Sequence, residues 1–118
     1  MDILVTNNPL DVAEFQGTYQ VDFPDTDLLG ILIRVRDHIH KGHRLLTHPL
    51  SGSVKPNETL YKSVLISAAA DETDMHSVMT IEECIQAVQK FASKSVPEQY
   101  LNDMQVVDLS LVRSALGK

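Results

Sequence analysis

The sequence predicts an α/β fold, a small three-layer sandwich with a mostly parallel sheet of about four strands. Short apolar runs, too short for helices, alternate along the chain with longer segments whose apolar residues recur at helical spacing. Capping and breaking residues separate the two kinds of segment. At 118 residues the chain has the size of one domain, so we expect a single α/β domain over residues 1–118.

The first two strands and the helix between them fall within residues 2–23. Asp2–Thr6 is nearly continuous in apolar residues, the pattern of a strand buried on both faces. Asn8 suits the N-cap of a helix over Pro9–Gln16, since proline fits the first helical position. Tyr19–Phe23 predicts the second strand. The helix offers four residues for burial: Leu10, Val12, Ala13 and Phe15.

The clearest helix covers Thr26–Lys41, with Asp25 or Asp27 as its N-cap and Gly42 as its C-terminal cap. Apolar residues three and four positions apart predict its core-facing stripe: Leu28, Ile31, Leu32, Val35 and Ile39. The other side carries charged and histidine residues: Arg34, Asp37, His38 and Lys41.

The third strand is predicted over Tyr61–Ser67, and a polar, acidic loop follows at residues 68–76. Thr80 is then expected to cap a helix from Ile81 to about Ser93. The inward face of this helix comprises Ile81, Cys84, Ile85, Val88 and Ala92. Because Cys84 lies in phase with this apolar face, we interpret it as a buried structural thiol.

The C-terminal part predicts one more strand and one more helix. After a loop at residues 95–102, Met104–Asp108 is predicted as the fourth strand. Asp108 or Ser110 then opens a final helix that ends near Gly117. In open sheets of this kind ligands bind at the carboxyl ends of the strands. Here those ends carry Thr6, Asn7, Asn8, Asp22, Ser67 and Asp108.

Charge is distributed unevenly along this acidic chain, whose net charge is −6. Residues 1–33 carry −6, residues 34–62 carry +4 and residues 63–118 carry −4. The central segment also holds four of the five histidines, and a long, basic, His-rich loop is expected at about 42–60. Concentrated positive charge in an acidic protein points to an anion or an acidic partner. The overall negative charge argues against general nucleic-acid binding.

A candidate anion site can be assembled from this segment. Residues 51–57 supply hydroxyls, a glycine, a lysine and an amide, although they match neither a Walker A nor a dinucleotide-binding motif. The turn after the first strand adds backbone N–H groups at a helix start. A solvated turn or a structural ion-pair network is the alternative. The predicted site comprises Asn7, Asn8, Arg44, His48, Ser51, Ser53, Lys55, Asn57 and Lys62.

Other chemistries are disfavoured by spacing. The central histidines match no standard zinc pattern, so no metal site is predicted. Ser51-Gly52-Ser53 lacks the G-x-S-x-G pattern of a serine hydrolase, and no catalytic residue or cofactor is assigned. A lone cysteine suits a reducing cytoplasm, and no apolar run is long enough to span a membrane. We therefore expect a cytoplasmic protein, with its oligomeric state open.

Three stretches of the sequence resemble the GrdX family: TNNP near the start, RDHIHKGHRLLTHPLSGSVKPNETLYKS in the centre, and DLSLVRSAL at the end. The resemblance implies a small cytoplasmic accessory protein, encoded beside the glycine, sarcosine or betaine reductase systems of amino-acid-fermenting anaerobes. It implies no catalytic residues, so none is carried over to this chain.

Two functions remain open at this point. In the first, the protein binds a small anionic metabolite or an acidic component of the reductase. In the second, it is a small enzyme that uses His48, Lys55 and a carboxylate on a phosphorylated or amino-acid substrate. The family resemblance favours the first.

Overall fold

The computed structural model describes residues 1–50, 60–90 and 100–117, which form three strands and four helices. This mixed composition confirms the α/β class. In chain order the elements are β1 (Ile3–Thr6), α1 (Pro9–Phe15), β2 (Gln20–Asp22), α2 (Leu28–His40), β3 (Ser63–Ile66), α3 (Met75–Lys90) and α4 (Leu101–Ala115).

The sheet has the strand order β2-β1-β3, so β1 is central. β1 and β2 run parallel, with Val5 opposite Asp22. β1 and β3 run antiparallel, with Thr6 opposite Ser63. The predicted sheet was therefore wrong in two respects, since the described sheet has three strands instead of four and is mixed instead of mostly parallel.

The direction of β3 follows from the chain after α2. Residues 44–47 run alongside β3 in the opposite direction, with an isolated antiparallel bridge between Leu45 and Ile66. The N–H of Ser67 donates to the carbonyl of Arg44 at 2.9 Å, and the N–H of Leu46 to that of Leu65 at 2.9 Å. After α2, the chain therefore first runs beside the position of β3 and then enters β3 in the opposite direction. A simple helical crossover, which returns a strand in parallel, does not apply here.

The predicted fourth strand, Met104–Asp108, lies inside α4. Its helical periodicity is hidden because the most buried positions of this helix are Asp108 and Val112, at 4% and 8% exposure. Two apolar residues of the predicted strand, Val106 and Val107, are 51% and 45% exposed. A carboxylate thus occupies the inward stripe of α4 while valines face outward, which inverts the usual hydrophobic pattern.

The helix α3 begins at Met75, six residues before the predicted start. The side chain of Asp74 caps this end by accepting hydrogen bonds from the N–H of Ser77 at 3.1 Å and from its hydroxyl at 2.6 Å. The first turn shows no apolar stripe, because Met75 and Met79 are exposed while Ser77 is buried. The predicted cap, Thr80, lies within the helix.

Helices cover both faces of the sheet, as the three-layer prediction requires. On one face, α2 and α3 pack together over Ile3, Val5, Val64 and Ile66. All five predicted core residues of α2 are buried, and four of them belong to this layer: Ile31, Leu32, Val35 and Ile39. On the other face, α1 and α4 cover a smaller apolar cluster of buried residues: Leu4, Phe15, Leu65 and Val112.

The ends of α2 agree with the capping residues in the sequence. The carboxylate of Asp27 accepts a hydrogen bond from the N–H of Gly30 at 2.8 Å. After the helix, Gly42 has φ +105°, a conformation that glycine adopts without strain. A Cβ at this position would overlap the backbone of Asp71, whose N–H donates to the Gly42 carbonyl at 3.1 Å. Gly42 therefore joins the end of α2 closely to the segment before α3.

The placement of Cys84 gives a direct chemical test of the α3 packing. This residue is 3% exposed, and burial raises the pKa of its thiol. We expect a thiol reagent at neutral pH to label native Cys84 at least tenfold more slowly than the denatured chain, because the thiolate is the reactive form. The rates are followed by mass spectrometry. Equal rates in the two states would contradict the burial of this face of α3.

Candidate functional site

The carboxyl end of β1 is where the first group of polar side chains gathers. Asn7, which follows this strand, connects three separate segments of the chain. Its amide Nδ2 donates to the carbonyl of Thr26 at 3.0 Å and to that of Leu60 at 2.8 Å. Its Oδ1 accepts a hydrogen bond from the N–H of Lys62 at 2.9 Å. The donors and the acceptor of this amide are therefore all used within the protein.

Asn8 is fully buried and has a similar connecting role. Its Oδ1 caps α1 by accepting from the N–H of Leu10 at 3.1 Å. Its Nδ2 donates to the carbonyl of Gln105 at 2.8 Å and to the carboxylate of Asp108 at 2.9 Å, both on α4. The N–H groups of Leu10 and Asp11 at the start of α1 are also taken, by the side chain and the carbonyl of Asn8.

A buried pair of carboxyl groups, Asp11 on α1 and Asp108 on α4, lies beside these asparagines. The hydroxyl of Ser63 joins them, since Ser63 Oγ contacts Asp11 Oδ2 and lies 2.7 Å from Asp108 Oδ2. Thr6 Oγ1 lies 2.7 Å from the same hydroxyl. Four elements of the fold therefore meet at one serine: β1, α1, β3 and α4.

The electrostatic character of this cluster follows from its burial. Burial and the neighbouring charge of Asp108 raise the pKa of Asp11 to about 7, although hydrogen bonds with Ser63 and Thr6 oppose the shift. Lys62, which is 7% exposed, has its pKa lowered by burial, and the charge of Asp108 counters this effect. Both groups are thus held where the charged form is disfavoured.

A small cavity of about 20 Å³ lies between the sheet and α4, bordered by Lys62, Ser63 and Asp108 together with apolar residues of α4. A volume of this size accommodates roughly one water molecule. It does not accommodate a metabolite. We therefore assign this buried cluster a role in the protein's own structure and proton binding.

A second group of polar residues lies on the surface formed by α2. Asp22, at the end of β2, accepts hydrogen bonds from Arg34 Nε at 2.8 Å and from Arg34 Nη2 at 3.0 Å. His38 Nε2 donates to the same carboxylate at 2.9 Å. Burial acts to raise the pKa of Asp22, but the hydrogen bonds from Arg34 and His38 outweigh it and hold that pKa below its usual value.

This surface group borders a depression of about 140 Å³, which is lined by Arg34, Asp37, His38 and Lys41. The ring of His38 also meets the ring of His43 edge-on, with centroids 5.5 Å apart. His43 in turn donates from Nδ1 to the carbonyl of Ser67 at 2.7 Å. Two of the central histidines are thus engaged in hydrogen bonds that position α2 against the sheet.

The structure separates several residues of the predicted anion site. Asn7, Asn8 and Lys62 lie together at the carboxyl end of β1, with their side chains directed into the protein. Arg44 is exposed, and its backbone lies beside Ser67, at the opposite end of β3 from Lys62. An extended strand spans roughly 17 Å from Lys62 to Ser67. His48 is exposed, and its Nδ1 accepts from the N–H of Leu50 at 3.1 Å. The remaining predicted residues lie outside the described ranges: Ser51, Ser53, Lys55 and Asn57.

The sequence prediction missed Asp11 and Ser63, whereas it placed Thr6 and Asp108 at the carboxyl ends of strands. Of the four residues expected to be buried on α1, only Phe15 is fully so, whereas Asp11 is completely buried. The phase of Phe15 marks the inward face of this short helix, and Asp11 lies one turn earlier on that face. That phase could have identified the buried carboxylate.

The molecule is a small α/β protein with a buried polar cluster on one face of its sheet and a charged surface on the other. The family model described as GrdX-like protein matches residues 3–117 of this chain. The chain therefore belongs to the GrdX-like protein family. No curated protein and no solved structure shows a significant match.

Within residues 1–50, 60–90 and 100–117, no group of three or more histidine, cysteine or carboxylate side chains is arranged to hold a metal ion. Over the same ranges, no helix combines the length and the apolar character needed to cross a membrane.

Replacing Asn8 with alanine tests the connecting role of this residue. Asn8→Ala removes the cap of α1 and deprives α4 of two hydrogen bonds, and we expect a loss of about 3 kcal/mol in the free energy of unfolding. Asn102→Ala, which alters an exposed asparagine of α4, is the matched control and should stay within about 0.5 kcal/mol of the parent. Urea unfolding measures both. Equal losses in the two variants would contradict the assignment.

Proposed function

We propose that this protein is an accessory protein of a glycine, sarcosine or betaine reductase system, and that its basic surface docks an acidic component of that system. The basic surface is defined by five residues on and after α2: Arg34, Arg36, Lys41, Arg44 and His48. The observation that carries the proposal is that the cations of this segment are exposed to solvent, whereas the polar residues after β1 are bonded within the protein. The basic surface lies outside, while Asn7, Asn8 and Lys62 are used inside.

The exposure of these cations supports docking over enclosure. Arg34 keeps 51% of its side chain exposed although it pairs with Asp22, and Arg36 keeps 36% exposed beside Asp37. Lys41 and Arg44 are exposed as well. Positive groups spread over an outer surface suit a complementary acidic protein surface, because such complementarity raises the rate of association and selects the partner.

Charge neutralisation at this surface is the first test of the proposal. We expect the double variant Lys41→Gln/Arg44→Gln to bind purified reductase components more weakly than the parent, by roughly two- to fivefold for each charge removed. Added salt should weaken the parent complex in the same direction. Biolayer interferometry with immobilised components measures both effects.

A neutralised lysine elsewhere provides the control for this experiment. Lys90 is exposed at the end of α3, about 22 Å of helix beyond Met75, whereas the segment before α3 contacts Gly42 after α2, and Lys90→Gln should bind as the parent does. If no component of the three reductases binds the parent, the docking proposal fails. Binding that is indifferent to salt and to the double variant would place the contact on another surface.

A small anion is the second candidate ligand, favoured by the depression between Arg34 and Lys41. Arg34 is partly neutralised by Asp22, so Lys41 is the more available cation of this pair. The predicted site around Lys55 is the other possible location. In either place a phosphate or carboxylate would form charge-assisted hydrogen bonds, which are stronger than neutral ones.

Thermal unfolding distinguishes the two locations. At matched ionic strength, phosphate should raise the melting temperature of the parent above its value in chloride, because binding to the folded state alone stabilises it. Lys41→Ala should abolish this response if the anion occupies the α2 depression, and Lys55→Ala should abolish it if the anion occupies the predicted site. Lys90→Ala should retain it. The absence of any difference between phosphate, carboxylates and chloride in the parent would exclude anion binding.

A further inference from the structure

The contacts around Ser63 require more hydrogen atoms than one hydroxyl supplies. Ser63 Oγ contacts Asp11 Oδ2 and lies 2.7 Å from both Asp108 Oδ2 and Thr6 Oγ1. A serine hydroxyl carries a single hydrogen and two acceptor lone pairs. Two ionised carboxylates therefore cannot both be hydrogen-bonded to it, since each of them needs that same hydrogen.

One assignment of protons satisfies all three contacts. Ser63 donates to Asp108, which also accepts from Asn8 Nδ2 at 2.9 Å and therefore suits the ionised form. Thr6 Oγ1 accepts from the N–H of Asn8 at 3.0 Å and donates its own hydrogen to Ser63, which at 2.7 Å is nearer than Asp11 Oδ2 at 3.4 Å. The contact between Ser63 and Asp11 is then completed by a hydrogen on Asp11 Oδ2. Asp11 is consequently the protonated member of the pair.

The surroundings of Asp11 agree with a neutral carboxyl group. It is 0% exposed, and its Oδ1 has no hydrogen-bond partner in the described part of the chain. An ionised oxygen without a partner is strongly disfavoured when buried. Burial and the charge of Asp108 accordingly raise the pKa of Asp11 to about 7.

Other charged groups lie near Asp11, but none of them supplies the hydrogen that the contact between Asp11 and Ser63 requires. Lys62, which directly precedes β3, interacts with Asp108, and this interaction opposes the lowering of the Lys62 pKa by burial. From α4, Arg113 interacts with Asp11, but its guanidinium is bonded to Glu14, with Nε 2.7 Å from Oε2. From β1, Thr6 contributes a hydroxyl and no charge.

We propose that the proton on the Asp11–Ser63–Asp108 bridge acts as a latch that holds α4 on the sheet, and that its loss as pH rises loosens this helix. The latch matters because the apolar support of α4 is small. Among the described residues, the cluster beneath α1 and α4 contains four buried apolar residues, whereas the cluster beneath α2 and α3 contains eleven. This inference is independent of the basic surface and of any reductase partner.

The sign of the pH effect follows from the raised pKa. A carboxyl group that binds its proton more tightly in the docked state than in the open state stabilises docking at low pH. That stabilisation is lost progressively as pH rises from about 4, the ordinary value, to about 7, its value here. Over this range the opening equilibrium of α4 should increase by roughly tenfold per pH unit.

Hydrogen exchange followed by mass spectrometry tests the latch in the full chain. After correction for intrinsic exchange rates, we expect α4 of the parent to lose protection between pH 5 and pH 7, while α2 and α3 change far less. Asp11→Asn supplies a permanent N–H donor to Ser63 and should make α4 protection independent of pH. Asp103→Asn, which changes an exposed carboxylate of α4, should behave as the parent.

A second measurement on the parent alone guards against a variant that fails to fold. The ¹³C carboxyl resonance of Asp11 should titrate near pH 7 in the folded protein. A titration near pH 4 would overturn the proposal. The same conclusion would follow from equal loss of protection in all helices, or from identical pH dependence in the parent and Asp11→Asn.

Discussion

The burial of β1 on both faces is the constraint on which the rest of this structure depends. A central strand covered by helices on either side ends in buried surroundings, so most of the polar groups there are hydrogen-bonded within the protein. Asn7 and Asn8 meet this requirement by bonding to segments far away in the chain. The same two residues therefore determine where α1, α4 and the entrance to β3 are placed.

This constraint also bears on two residues of the predicted anion site, Asn7 and Asn8, whose side-chain amides bond within the protein. A turn rich in asparagine after a strand has the same composition whether its amides face solvent or the interior. Whether Asn8 meets a ligand or Asp108 depends on α4, a hundred residues later, which the local sequence does not reveal. The basic surface was easier to recognise, because long charged side chains stay outside in almost any fold.

The fold likewise divides into features set by the local sequence and features set by contacts between distant residues. The limits of α2, its cap Asp27 and its buried stripe could be predicted because local pattern and tertiary packing agree there. The positions of β1, β2 and β3 were also predicted within a few residues. The prediction failed for the first half of α4, where Asp108 takes a core position in a polar cluster, and for the direction of β3, which depends on residues 44–47. Both errors arise from contacts that are distant in sequence.

The position of residues 44–47 has a consequence for how this protein can associate. By lying along β3, this segment occupies the outer backbone groups of Leu65 and blocks the addition of another strand at that edge. Within the described part of the chain, the opposite edge belongs to β2, which is three residues long and offers a foreign strand few hydrogen bonds. Association by sheet extension is thereby restricted at both edges, and the proposed docking accordingly uses side chains of the basic surface and no backbone pairing.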